Sequence, residues 1–357
     1  MAFVLVFLAA LASALIAVPL ATRLGRRLGL VDRPGGRRQH SGAIPRTGGV
    51  AMYVAFVLAV GISALVRGWL PSPEGPDPHE TTRLAALLLG STFIFVFGFL
   101  DDRLDLRPRA QYVGQIVAAL IAIAGLVFIE RVMNPFTNQI TVFPWPFVIA
   151  LTLFWIVGMI NTVNFLDGLD GLAAGVAAIL SAVLAVHMIR QGQYSVALLP
   201  LALLGATLGF LPFNFHPARI FMGSSGSFFL GFAVASLGIV AGARVATVLL
   251  VFSIPILDVA WQVLRRLRAG QSIGQGDRGH LHFQLQDLGF SQRQIVLGYY
   301  AFCAAFGALA LLVSSRLYKA IVLLLLGAVM MAMLAFLSRR KGENRTLHPP
   351  DADAPER

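Results

Sequence analysis

Asn161-Thr-Val-Asn164-Phe-Leu-Asp167-Gly-Leu-Asp170-Gly-Leu-Ala-Ala-Gly175 decides how this chain folds, because it joins the end of one long apolar run to the start of another. Two amides and two carboxylates thus stand where a hydrophobic segment leaves off. Facing lipid, such groups would each cost several kcal/mol, so they belong in a water-filled, protein-lined cavity. A second acidic group, Asp101-Asp102-Arg-Leu-Asp105, closes an earlier apolar run in the same way.

The rest of the chain supplies the membrane that this reading needs. Of 357 residues, 57% are hydrophobic and 13% are charged, far from the even mix of a water-soluble domain. Eleven apolar segments approach or reach spanning length: 3–22, 48–66, 82–100, 111–129, 145–160, 171–189, 195–212, 227–242, 245–264, 294–313 and 319–338. Backbone groups in lipid find no water, so these segments are helices. The first is too long for a signal peptide and has no charged residues before it. The expected fold is an all-α, polytopic membrane bundle of about eleven helices spanning residues 1–338, followed by a polar, disordered tail over 339–357.

Basic residues orient the bundle. With the N-terminus outside, 21 of the 28 lysines and arginines fall in cytoplasmic segments and 7 on the other side. This places the C-terminus in the cytoplasm. It also puts Asp101, Asp102, Asp105, Asp167, Asp170, Asp277, His280 and His282 together on the cytoplasmic face. The net charge of +11 is therefore a topology signal and a lure for anions, with no basic-aromatic surface to suggest nucleic acid. The single cysteine, Cys303, excludes a disulfide framework and a thiolate metal centre.

The polar clusters suggest specific chemistry. Adjacent carboxylates at 101 and 102 repel, and a cation between them relieves the repulsion. Magnesium suits such a place because it shares its oxygen shell among carboxylates, water and phosphates; manganese is the alternative ion. Asn161, Asn164, Asp167 and Asp170 recur every third residue and keep roughly to one side of a helix. Asn214-Phe-His-Pro-Ala-Arg-Ile-Phe221-Met-Gly-Ser224-Ser-Gly-Ser227 precedes an apolar helix, where small residues and free amides form an anion site. The last polar loop carries Arg265, Arg266, Arg268, Asp277, Arg278, His280 and His282. Arginine forks suit phosphate, while histidines at i and i+2 point to different faces of a helix. The first polar loop adds Asp32, Arg37, Arg38, His40 and Arg46. A secondary transporter is the rival class, but its ionisable groups belong near the midplane. Here Asp258 alone, three residues after Pro255, lies well inside an apolar run.

In this order the motifs resemble the polyprenyl-phosphate N-acetylhexosamine-1-phosphate transferase family, glycosyltransferase family 4. The resemblance runs from about Asp32 to Phe290, and the last loop is similar to the N-acetylglucosamine branch. It implies an enzyme of the bacterial cytoplasmic membrane with a cytoplasmic-side cleft. The implied donor is UDP-N-acetylglucosamine and the implied acceptor undecaprenyl or another polyprenyl phosphate. UMP would leave, and the product would start a cell-envelope glycan. By the same resemblance Asp101, Asp102, Asp167, Asp170, His280 and His282 are catalytic. Asn161, Asn164, Asn214, Phe221, Arg46, Arg265, Arg266 and Arg278 bind substrate, and Asn164, Asp101, Asp102 and Asp167 hold Mg2+. A second copy of the chain is a candidate partner. Two positions depart from the family pattern. Ser224 stands where relatives carry a metal-ligating aspartate, and Phe283 where a histidine is common. The first departure keeps open a diverged member with a binding role.

Overall fold

A computed structural model describes residues 1–33, 42–71, 77–242, 245–270, 279–313 and 315–347, with side chains as far as Ala335. The chain is a polytopic helical membrane protein. Its helices are α1 (Ala2–Arg27), α2 (Gly48–Val66), α3 (Glu80–Leu104), α4 (Pro108–Ala124), α5 (Trp145–Leu166), α6 (Leu172–Arg190), α7 (Tyr194–Asn214), α8 (Gly223–Val240), α9 (Val245–Val251), α10 (Ser253–Arg268), α11 (Leu281–Asp287), α12 (Gln292–Leu312) and α13 (Arg316–Leu347). Two short antiparallel hairpins join them: β1 (Val31–Asp32) with β2 (Ile44–Pro45), and β3 (Arg131–Met133) with β4 (Ile140–Val142).

Among the described residues nine helices are long and apolar enough to cross a membrane, and the bent pair α9–α10 makes ten if taken as one span. The eleven expected segments differ from this in two places. The run at 111–129 becomes α4, 17 residues long, because the chain stops being helical at Gly125 and Leu126 has φ +64°. The run at 245–264 is no straight span: its halves meet at 83°. Pro255 explains the break. Its ring offers no N–H and crowds the carbonyl four residues back, at Val251, where α9 ends. The Ser253 hydroxyl donates to the Leu250 carbonyl across the break (2.8 Å). At the other end of the chain, α13 continues to Leu347, beyond position 338.

Small residues let the helices approach where no hydrophobic effect drives them together. α1 buries a stripe of Ala2, Val6, Ala10, Ala14, Val18, Ala21 and Gly25. Against it lie Gly205 and Gly209 of α7, where an added Cβ would strike Ala10 and Ala14. Leu5, Leu8, Leu15 and Leu20, on the other face of α1, are exposed, as lipid-facing side chains are.

α8 is the axis of the bundle. From Gly223 to Ile239 every residue is buried except Ser224, which is half-buried. α2, α3 and α5 close around it with their backbones almost touching. A Cβ on Gly49 of α2 would strike the Gly226 amide, one on Gly98 of α3 would come within 2.6 Å of the Ser224 carbonyl, and one on Gly231 would meet Ile160 of α5. The antiparallel alternation brings the C-terminal ends of α3, α5 and α7 to the N-terminal ends of α2, α6 and α8. The polar motifs share that end.

Candidate active site

The N-terminus of α8 organises the site. Its first amides have no partner within the helix and need acceptors from elsewhere. Asp102, in the last turn of α3, supplies them: Oδ1 accepts from the Ser224 amide (2.8 Å) and Oδ2 from the Ser225 amide (2.9 Å). A carboxylate here also meets the positive end of the helix dipole. Gly223 makes the contact feasible. Its φ is +69°, and a Cβ would lie 2.7 Å from Asp102 Oδ2 and collide with the Arg46 carbonyl. The Arg46 guanidinium stands 3.9 Å from Asp102 Oδ1. A backbone clasp holds Arg46 in place: the Phe221 amide donates to the Pro45 carbonyl, and the Gly48 and Gly49 amides donate to the carbonyls of Phe221 and Met222.

Asp101 turns the other way. Its Oδ1 accepts from Gln111 Nε2 (2.9 Å) and the Leu106 amide (3.2 Å), so it ties the end of α3 to the start of α4. The two neighbouring carboxylates thus take separate N–H donors, Asp102 on α8 and Asp101 on α4 and the loop before it.

Asp167 caps the C-terminal end of α5. The residue opens partly to solvent, but its carboxyl is packed deep among protein atoms. Burial first, then the charges of Asp102 and Asp170, push its pKa well above the carboxylate range, against a smaller opposing pull from Arg46. The structure thus gathers Asp102, Asp167, Asp170 and Arg46 from three separate stretches of sequence. Asp170 Oδ2 is held by His216 Nδ1 and the Ala218 amide, both at 3.0 Å.

The asparagines take distinct places. Asn164 Oδ1 accepts from Ser227 Oγ on the first turns of α8 (2.8 Å). Asn161 pairs with Gln115 of α4 (2.6 Å). Asn214 is buried, donating to the Ile220 carbonyl (3.0 Å) and accepting from the Gly171 amide (3.1 Å), so it fastens two site loops to each other.

A histidine pair forms the third wall. His280 caps the N-terminus of α11 in an extended conformation (φ −65°, ψ 147°). Spacing on a helix would send His280 and His282 to different faces; because His280 precedes the helix, the rings stack instead, with centroids 5.7 Å apart and planes 10° apart. His280 also stacks on Phe165, beside Asn164 (5.0 Å). His282 lies against the Asp167 loop, since a Cβ on Gly168 would come within 2.7 Å of its Nε2. His282 is buried, and among the described residues neither of its ring nitrogens has a partner. Burial, with a smaller contribution from His280, lowers its pKa to about 3, so the ring is neutral at any physiological pH. Arg265 and Arg266 stand on the last turn of α10, Arg266 buried. One turn earlier Gln262 donates to the Gly279 carbonyl, next to His280. Arg278 and Asp277 lie outside the described residues.

Two residues that hold this site carry no mark in the sequence. Gln111 and Gln115 are single polar residues without a motif, where only the cost of an unpaired polar group beside an apolar run could have drawn attention; His216, Ser227 and Asp258 stood in noted stretches, but their partners Asp170, Asn164 and His280 did not follow from the sequence.

The metal can be tested against these side chains. Among the described residues no three His, Cys, Asp or Glu side chains come together as a metal cage. Magnesium does not require one: it is bound by one or two carboxylates, with substrate phosphates and water completing its shell. Asp102 and Asp167, with the Asn164 amide oxygen, make such a partial set. The crowded negative charge that burdens Asp167 is what a cation would relieve. The residues fit the ion.

A transmembrane bundle with an acid-rich site at one end of its helices suits a membrane-embedded enzyme acting on a phosphate substrate, and the comparisons give its class. The model for glycosyl transferase family 4 matches residues 84–242. The chain is 30% identical to the probable undecaprenyl-phosphate N-acetylglucosaminyl 1-phosphate transferase of Bacillus subtilis, over 87% of this chain and 85% of that one. It is 34% identical to the decaprenyl-phosphate N-acetylglucosaminephosphotransferase of Mycobacterium tuberculosis, over 92% and 87%. It is 30% identical to the phospho-N-acetylmuramoyl-pentapeptide-transferase of Bacillus cytotoxicus, over 83% and 91%. The chain belongs to glycosyl transferase family 4 and is an enzyme of that family.

Proposed function

We propose that this enzyme transfers N-acetylglucosamine 1-phosphate from UDP-N-acetylglucosamine to a polyprenyl phosphate such as undecaprenyl phosphate, releasing UMP. It does so in the bacterial cytoplasmic membrane, with the cleft on the cytoplasmic side, and its lipid diphosphate product begins a cell-envelope glycan. The observation that carries this reading is the convergence of Asp102, Asp167, Asp170 and Arg46 at the N-terminus of α8, walled by His280 and His282. The names of the relatives point to the same donor and acceptor classes.

In this reaction an oxygen of the lipid phosphate attacks the β-phosphorus of the donor. The bond from that phosphorus to the bridging oxygen breaks, and the electron pair leaves with UMP. The anomeric carbon is untouched. A polyprenyl phosphate loses most of its second proton by neutral pH, so the nucleophile needs little help from a base. The difficulty is bringing anions together, and catalysis rests on charge neutralisation and positioning. Asp102, Asp167 and Asn164 would hold Mg2+, which when bound offsets diphosphate charge. Arg46 gives a fixed cation beside Asp102. His282, neutral and unpaired, offers one N–H donor and one acceptor to substrate oxygens, and Arg265 and Arg266 offer planar forks to phosphate. By the family resemblance Phe221 would stack on the uracil, with Asn164, Asp167 and Asp170, the last held by His216, around the uridine. Asp101 acts from behind, fixing the end of α3 through Gln111.

The test is direct. Purified protein, undecaprenyl phosphate and Mg2+ are mixed with UDP-N-acetylglucosamine, UDP-N-acetylgalactosamine or UDP-N-acetylmuramoyl-pentapeptide, and UMP is measured. The expected result is release with the first donor foremost. No release with any donor overturns the reading, and release only with the pentapeptide donor replaces the substrate.

A further inference from the structure

The break between α9 and α10 carries a buried acid into the site. Asp258 follows Pro255 by three residues and is 3% exposed. Its Oδ2 lies 2.9 Å from His280 Nδ1, and its Oδ1 accepts from the Leu281 amide, also at 2.9 Å. His280 itself is 4% exposed, its ring packed between Phe165 and His282. A carboxylate only accepts hydrogen bonds, so the nitrogen facing it must carry the hydrogen.

We propose that Asp258 is a positioning residue that fixes the tautomer of His280, keeping the proton on Nδ1 and leaving Nε2 bare as an acceptor for substrate. The inference rests on the transferase reading for what Nε2 then meets, but the proton's location stands on geometry alone. The two bonds of Asp258 make Asp258→Asn a sharp probe. The Leu281 amide still requires an acceptor, so the asparagine oxygen stays on that side. Its NH2 must then face His280 Nδ1, which has to accept. The ring proton moves to Nε2, and the group offered to substrate changes from acceptor to donor without a change of shape.

The experiment uses the full chain in detergent, labelled with 15N and 13C histidine, at pH 8. His280→Gln identifies the His280 signal among the seven histidines. In the wild type His280 is expected to carry its hydrogen on Nδ1; in Asp258→Asn it is expected on Nε2; in Asp258→Glu it returns to Nδ1. UMP release by Asp258→Asn should fall roughly 10- to 100-fold, as when the carboxylate orienting an imidazole is lost in other sites. The loss should lie in kcat, and Asp258→Glu should recover part of it. A wild-type ring protonated at Nε2, or carrying both hydrogens, overturns the proposal even if no variant folds. The same protonated nitrogen in wild type and Asp258→Asn overturns it equally. If the tautomers exchange as stated while the wild type releases no UMP from any donor, the transferase reading falls and the positioning role stands.

Discussion

Two residues concentrate the chemistry of the site. Ser224 opens the first turn of α8, and its amide, not its side chain, is what Asp102 takes up. The family pattern that the motifs resemble implies an aspartate there, so Ser224→Asp should return a carboxylate beside Asp102 and Asp167. A charged ligand is worth roughly 1–3 kcal/mol, on the scale of a hydrogen bond to a charged group. That converts to roughly tenfold to a hundredfold in metal affinity, and UMP release against Mg2+ concentration should shift downward by that factor. Equal Mg2+ dependence in both proteins would remove position 224 from the metal site. If only Ser224→Asp turns over, the native chain is a binding member of its family. His282 gives a prediction of opposite kind. Its folded pKa, about 3, lies below the ordinary histidine value of 6.5, so between those limits the unfolded chain binds more protons than the folded one. Stability should therefore be full above pH 6.5 and decline as the pH falls toward 3. His282→Gln should lessen that acid loss, as read by thermal unfolding in detergent between pH 7 and 4. The acids were legible at this scale because lipid makes each one costly. Their pairings were not: Asp101 and Asp102 are adjacent in sequence yet serve α4 and α8, a division that depends on which amides the packing leaves open.

At the scale of elements, the apolar runs gave the helices nearly to their ends, since period and length are local properties. What escaped was everything set by packing between helices. The bend at Phe252 had its signal in Pro255, but a proline in an apolar run fits a kinked span as well as a broken one. The short hairpins escaped because strands of two and three residues have no period to detect. Glycines in the runs likewise looked alike, though the structure separates them. A Cβ on Gly49 would strike the Gly226 backbone, whereas one on Gly61, on the same helix, would meet nothing within 4 Å. Backbone cannot yield as a side chain does, so Gly49→Ala should cost about 1–3 kcal/mol or more by overpacking. It should also displace the α8 N-terminus and with it Asp102. Gly61→Ala should leave both stability and UMP release unchanged. Thermal unfolding and turnover of the two variants check this, and equal behaviour would mean α2 and α8 are not in close contact.

Over the whole molecule, one asymmetry links fold to function. Every cluster of the site lies at the ends of α3, α5, α7 and α10 and at the starts of α2, α6, α8 and α11, hence at a single end of the bundle. On the sequence count, the segments expected at that end hold 21 basic residues and the others 7. Lysine and arginine are retained on the cytoplasmic side during insertion, and the proposed UDP-sugar donor would come from the cytoplasm, so the charge bias and the proposed substrate call for the same orientation. Alkaline phosphatase, active only outside the cytoplasmic membrane, and green fluorescent protein, active only inside, read it out. Fused after Leu106, beyond α3, the phosphatase should be silent and the fluorescent protein bright. Fused after Gly192, between α6 and α7, the pattern should reverse. Moving the bias should move the outcome: replacing Arg103, Arg107 and Arg109 by glutamine should weaken retention of that loop and yield a mixed population. A bright phosphatase after Leu106 in the native chain would place Asp102 and Asp167 on the far side of the membrane from any nucleotide sugar, and the proposed reaction would fail with it.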